Sequence, residues 1–168
     1  NGKRAGIFSE LPEKYSRIPC RDTNDCIITP GLTDLHLHAP QYTYRGTGMD
    51  LELLEWLNTY TFPEESKYRD LTYAQPAYSI FVNDLKKSAT TRASIFATVH
   101  VEATELLMDL LEDTGLKTFV GKVNMDRNGS VQLQEADAKA SASDTRRWIR
   151  NIQGRYKNTK PILTPRFT

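Results

Sequence analysis

Short apolar runs alternate with stretches of helical spacing along most of the chain. Residues 26–29 and 32–38 read as one strand interrupted by the Pro30-Gly31 turn. Residues 50–60 form a short helical pattern, with Leu53, Leu54 and Leu57 on one face and Pro63 expected to bar its continuation. Residues 65–87 carry Tyr73, Ile80, Phe81 and Leu85 at helical spacing, with a break or kink expected at Pro76. Residues 93–99 are rich in strand formers. Residues 104–112 are amphipathic, with Leu106, Leu107, Leu110 and Leu111 on one side and Gly115 as the stop. A strand over 118–125 precedes the turn Asn128-Gly129-Ser130. Ser143 is placed to cap a helix carrying Trp148, Ile149 and Ile152. Residues 161–164 make a last strand. Strands alternating with helices in this order argue for parallel βα units. Residues 1–26 are turn-rich and show no clean periodicity.

Composition narrows the class. With 168 residues, 39% hydrophobic and 26% charged, the chain is an ordinary globular protein with one core, not a disordered one. A net charge of +1 gives no global field for nucleic acid or an anionic membrane. No apolar run reaches the length of a membrane span, and no secretory signal opens the chain, so no membrane partner is expected. Cys20 and Cys26 make neither a zinc knuckle nor a disulfide framework, and a thiol pair in a reducing cytoplasm is expected. Residue 1 is Asn rather than Met, and the chain stops at Phe167-Thr168 directly after a strand-like stretch, so both ends read as cut.

The candidate chemistry begins at His36 and His38. Alternate residues of a strand point to one face, with backbones ~7 Å apart. Two imidazoles so placed can converge on one zinc through bonds of about 2.0–2.1 Å. From these residues alone, two polar side chains on a half-exposed strand remain an equal reading. Asp34 shares their parity and can orient a histidine or serve the strand structurally. His100 and Glu102 imitate the H-x-E of a different zinc-deaminase fold. That fold needs a downstream Cys pair, and both cysteines lie upstream, so His100 is read as a hydrogen-bonding residue at a strand end. The basic stretch Arg146, Arg147, Arg150, Arg155, Lys157 and Lys160 is read as a solvated outer helix face. No Gly-rich phosphate loop is present.

Beyond spacing, particular strings stand out. Residues 30–42 read Pro-Gly-Leu-Thr-Asp-Leu-His-Leu-His-Ala-Pro-Gln-Tyr. Further blocks are Asp50-Leu51-Glu52-Leu53-Leu54-Glu55-Trp56-Leu57, Tyr60-Thr61-Phe62-Pro63-Glu64-Glu65 and Ile95-Phe96-Ala97-Thr98-Val99-His100. Phe119-Val120-Gly121-Lys122-Val123-Asn124-Met125-Asp126 and Thr164-Pro165-Arg166-Phe167 complete the set. Together they resemble the guanine deaminases of the amidohydrolase superfamily, in the family's order and over nearly everything from Ile27 onward. The resemblance implies an α/β fold, the (β/α)8 TIM barrel. About the first four βα units fall within residues 27–168, and residues 1–26 are the tail of a small N-terminal β-domain. It implies a zinc-dependent aminohydrolase converting guanine and water to xanthine and ammonia in purine catabolism. His36 and His38 would be metal ligands, and Gln41, Arg166 and Phe167 would contact the purine. It implies a cytoplasmic homodimer as the family's usual form. The remaining ligands and the acid/base Glu belong to later strands, so no catalytic residue is expected within this chain and the isolated chain is expected to be inactive. Where many relatives have Gly before Thr90-Thr91, this chain has Ala89, which would be strained if the site needs a positive φ. Two other readings stay open: a sister amidohydrolase acting on another aminated heterocycle, and a non-catalytic half-barrel that needs a partner chain.

Overall fold

The computed structural model describes residues 4–23 and 25–166. The chain forms two units, Asn1–Pro30 and Gly31–Thr168. Among its described residues the first holds one 3-10 turn, Glu13–Tyr15, with the Phe8 and Tyr15 rings 5.9 Å apart. Residues 26–29 are not a strand. Ile27 and Ile28 are exposed, and the expected strand begins only after Gly31. Cys20 and Cys26 are exposed and unbridged.

In the second unit the regular elements are β1 (Leu32–His38), α1 (Leu53–Trp56), α2 (Phe62–Ser66), α3 (Leu71–Lys87), β2 (Thr90–Phe96) and α4 (Val101–Glu112). They continue as β3 (Lys117–Gly121), β4 (Val123–Asn124), α5 (Ala138–Ile152), β5 (Thr159–Pro161) and β6 (Thr164–Pro165). Strands β1, β2, β3 and β5 form one parallel sheet in chain order. The pair β4–β6, also parallel, continues β3 and β5 toward their C-terminal ends. At Lys122 the side chain turns into the interior, where its Nζ donates to Glu135 and to the Val123 carbonyl. Between β5 and β6, Ile162 still donates to Val120 O. Each strand leads through a helix to its parallel neighbour, as the sequence pattern predicts, and the sheet matches the first part of the (β/α)8 barrel that the family resemblance implies.

Helices α3, α4 and α5 cover one face of the sheet. The core between them contains Tyr78, Phe81, Ile95, Leu107, Met108, Leu111, Val120 and Trp148. A smaller cluster of Leu57, Phe62, Val123, Met125 and Leu133 packs at the strand ends, with Trp56, Phe96 and Val99 against it. Gly121 permits the close approach of β3 to β6, since a Cβ there would lie 2.2 Å from Thr164 Cγ2.

Several local expectations change. Helicity does not stop at Pro63. A π-helical turn over Leu57–Thr61 intervenes, and Pro63 falls in the first turn of α2, where its missing N–H is tolerated. Helix α3 runs unbroken through Pro76, held by buried Ala74, Ala77, Tyr78 and Phe81. Helix α5 starts five residues before Ser143, capped by Asp137, whose carboxylate accepts from Ala140 N at 2.7 Å. Among the described residues only Asn128 combines a side chain with positive φ, so Ala89 is unstrained. The basic stretch on α5 and beyond is met by acid on α4. Arg147 pairs with Glu102 at 2.8 Å, and Arg155 with Glu105 and Asp109 at 3.1 and 2.9 Å.

Candidate active site

His36 and His38 close β1, at the C-terminal end of the sheet where barrel proteins carry their chemistry. The register of β1 against β2 slips between Asp34 and Leu37, and this irregularity carries His36. Both imidazoles nevertheless line one cavity of about 490 Å³, together with Gln41, Leu53, Trp56, Leu57, Phe96, Pro165 and Arg166. Their Nε2 atoms converge to 3.1 Å. The ring of Phe96, at the end of β2, stacks on His38 with centroids 4.5 Å apart and planes 12° apart, and its centroid lies 5.1 Å from that of His36.

Burial holds the His38 pKa down to about 3, with the charges of Arg166 and His36 acting the same way. The ring is therefore neutral at neutral pH, the protonation state in which imidazole binds a metal. Its buried Nδ1 has no hydrogen-bond partner. Asp34 does not reach either ring; its Oδ1 accepts from the His36 backbone N–H at 3.0 Å. His100 is the N-cap residue of α4, and its buried Nε2 also lacks a partner, so the ring is not the hydrogen-bonding group expected of it.

The far wall comes from three separate elements. Gln41 lies in the 3-10 turn Ala39–Tyr44 that follows β1, Arg166 follows β6, and Glu65 lies on α2. Glu65 is 2% exposed. Its Oε1 accepts from Gln41 Nε2 at 3.1 Å, and Arg166 Nη1 donates to Oε1 and Oε2 at 3.1 and 2.8 Å. Burial raises the Glu65 carboxyl, against which Arg166 and the Gln41 amide work. The neighbouring Glu64 fastens the same turn from outside by accepting from Thr43 Oγ1 at 3.1 Å, and it also receives the Tyr73 hydroxyl. Arg166 lies 5.8 Å above the Phe62 ring.

Four of the expected site residues, His36, His38, Gln41 and Arg166, thus share one cavity, and Phe167 lies outside the described residues. Sequence reasoning missed Glu65, although it closes one of the strings that carry the family resemblance. The only available signal was its spacing three residues after Phe62, which puts the two on one face of a helix. Of the aromatics near the site, Trp56 lines the cavity and donates its indole N–H to Thr47 O at 2.9 Å, while the Tyr44 hydroxyl donates to Thr61. Among the described residues no group of three or more His, Cys, Asp or Glu side chains is placed to hold a metal, so this chain offers a two-histidine donor set.

Comparison with known proteins gives the site a context. Residues 27–166 match the amidohydrolase family. Guanine deaminase of Mus musculus is 42% identical over 140 residues, which are 83% of this chain and 31% of that protein. Guanine deaminase of Escherichia coli is 36% identical over 167 residues, 95% of this chain and 37% of that protein. The crystal structure of guanine deaminase from C. acetobutylicum with guanine bound in the active site superposes with a TM-score of 0.89 at 45% identity. That superposition covers 98% of this chain and 39% of that one. The chain therefore spans about a third of the length of the curated relatives it matches.

Proposed function

The chain belongs to the amidohydrolase family, and on that premise we propose that it supplies the first-strand metal ligands and the purine-binding wall of a guanine deaminase. The observation that carries this reading is the convergence of His36, His38, Gln41 and Arg166 on one cavity, in a chain 45% identical to a protein crystallised with guanine in its active site. The reaction is hydrolysis of guanine to xanthine and ammonia.

The two histidines suit a zinc ion. Nitrogens 3.1 Å apart match two bonds of about 2.0–2.1 Å to one centre. When bound, such an ion acidifies a water for attack on the ring carbon that bears the amino group. His38 presents a neutral imidazole nitrogen to it, with Phe96 stacked on its ring, and His36 Nε2 lies beside that nitrogen. Gln41 and Arg166 hold the purine by its polar edge, the guanidinium offering donors only. Leu53, Trp56, Leu57 and Phe96 give the planar ring an apolar setting. None of the described residues of this cavity is assigned as proton shuttle. Two exposed unbridged thiols support a reducing, cytoplasmic location, and assembly as a homodimer is part of the same proposal.

The test is direct. The whole protein is incubated with guanine, and xanthine and ammonia are measured alongside bound metal. Equimolar products and about one zinc per site are expected, with His36→Ala and His38→Ala each abolishing both. A zinc-loaded protein that leaves guanine intact while deaminating another aminated heterocycle would replace this reading with that of a sister hydrolase.

A further inference from the structure

Glu65 is a nearly buried carboxylate with no role in the chemistry above, yet it touches both proposed purine contacts. The side chains of Glu65 and Arg166 are 3% and 11% exposed. A buried ion pair is weak evidence for stability, because apolar residues of similar size often serve a core as well or better. Its place behind the cavity wall, against two residues that line it, therefore needs another reason, and the donor and acceptor pattern provides one. An ionised carboxylate only accepts. Facing it, a Gln amide can present only its NH2 group, and the structure has Gln41 Nε2 at 3.1 Å from Glu65 Oε1. One amide N–H is thereby committed and the amide cannot turn over, which fixes where Gln41 presents its carbonyl Oε1 and its second N–H in the cavity it lines. Arg166, donating to the same carboxylate, is a donor at every nitrogen.

We propose that Glu65 is a positioning residue that fixes the polarity of the ligand wall, setting Gln41 as an acceptor beside Arg166 as a donor. Such a wall complements a lactam edge, a ring N–H next to a C=O, and opposes the reversed edge of an amidine, a ring nitrogen acceptor next to an NH2. Without the carboxylate the Gln41 amide turns over freely and the wall no longer distinguishes the two. This rests on the reading of the site as a guanine site and adds to it the group that sets selectivity.

The probes are guanine and 2,6-diaminopurine, which differ only at that edge. Their affinities are measured by competition in equilibrium dialysis on the whole protein with its zinc removed by a chelator, so that guanine is bound without being turned over. The wild type is expected to favour guanine by at least tenfold. Glu65→Gln is expected to shrink that ratio at least tenfold, while Glu65→Asp, which keeps the charge, keeps the order and loses affinity for both. A merely structural role would weaken both ligands together and leave the ratio standing. A folded Glu65→Gln protein with the wild-type ratio overturns the inference and leaves the guanine reading intact. Binding of neither purine to the wild type overturns that reading and the inference with it. If Glu65→Gln does not fold, Gln41→Leu is measured instead. The same narrowing is expected, and an unchanged ratio is equally fatal, since Glu65 cannot act through an amide that contributes nothing.

Discussion

His38 has two neighbours that matter, the His36 imidazole at 3.1 Å and the Phe96 ring stacked 4.5 Å away. With Nδ1 unpartnered, no hydrogen bond on that side sets the plane of the ring, and packing against Phe96 takes that part. Groups that orient a metal ligand typically change affinity by about 10–100-fold when removed. Phe96→Ala is therefore expected to weaken zinc binding by roughly tenfold while the protein still melts cooperatively. Competition with a chromophoric chelator measures this, and an unchanged zinc affinity would show that the β1 backbone alone fixes both rings. The same scale shows what the sequence can reveal about the site. His36, His38, Gln41 and Arg166 were legible because short strings keep reactive residues at fixed offsets. Glu65 was not, because its partners are 24 and 101 residues away and nothing local distinguishes a buried acid from an exposed one.

At the scale of elements, strand and helix order was legible from apolar periodicity, whereas starts, stops and breaks were not. Proline misled at Pro63 because a π turn placed it in a first helical turn, and at Pro76 because tertiary packing outweighs one missing bond. The start of α5 was hidden because residues 138–142 are small or polar, with only Ser141 buried among them. Connections between elements were equally invisible. Glu112, at the end of α4, accepts backbone N–H bonds from Lys157 at 2.9 Å, Asn158 at 2.9 and 3.1 Å and Thr159 at 2.9 Å, where the chain enters β5. Partial burial raises its carboxyl, and the N–H groups of Thr159, Asn158 and Lys157 outweigh that, so the group titrates below its ordinary value. The sign follows. A carboxyl with a lowered folded pKa adds stability above its unfolded value, about 4.3, and loses that contribution as pH falls through the folded pKa. Glu112→Gln is expected to cost on the order of 1 kcal/mol at neutral pH, discounted for solvent screening, and next to nothing in acid. Urea melts at pH 7 and pH 3 test this; an equal loss at both would mean that shape rather than charge holds the joint.

The whole molecule poses a question of coverage. Parallel sheets are almost always covered on both faces. Here helices α3, α4 and α5 cover one face, and the other carries His36, His38, Phe96 and Phe119. Register puts Phe119 opposite Ser94, two residues before Phe96, so it lies on the histidine face, and it is 50% exposed. In the described residues β1 and β5 each pair on one side only, which leaves two sheet edges with unmet backbone groups. In a closed barrel that face is the interior and those edges pair with further strands. The relatives, about three times as long, have the length for a closed barrel. A polypeptide of only these 168 residues should then bind 8-anilinonaphthalene-1-sulfonate and self-associate, and Phe119→Ser should reduce both. The whole protein should bind no dye. Dye fluorescence and light scattering across a concentration series read the difference. A monomeric, dye-silent 168-residue chain would mean that the histidine face tolerates water, and the metal pair would then have to work at an open surface instead of inside a barrel.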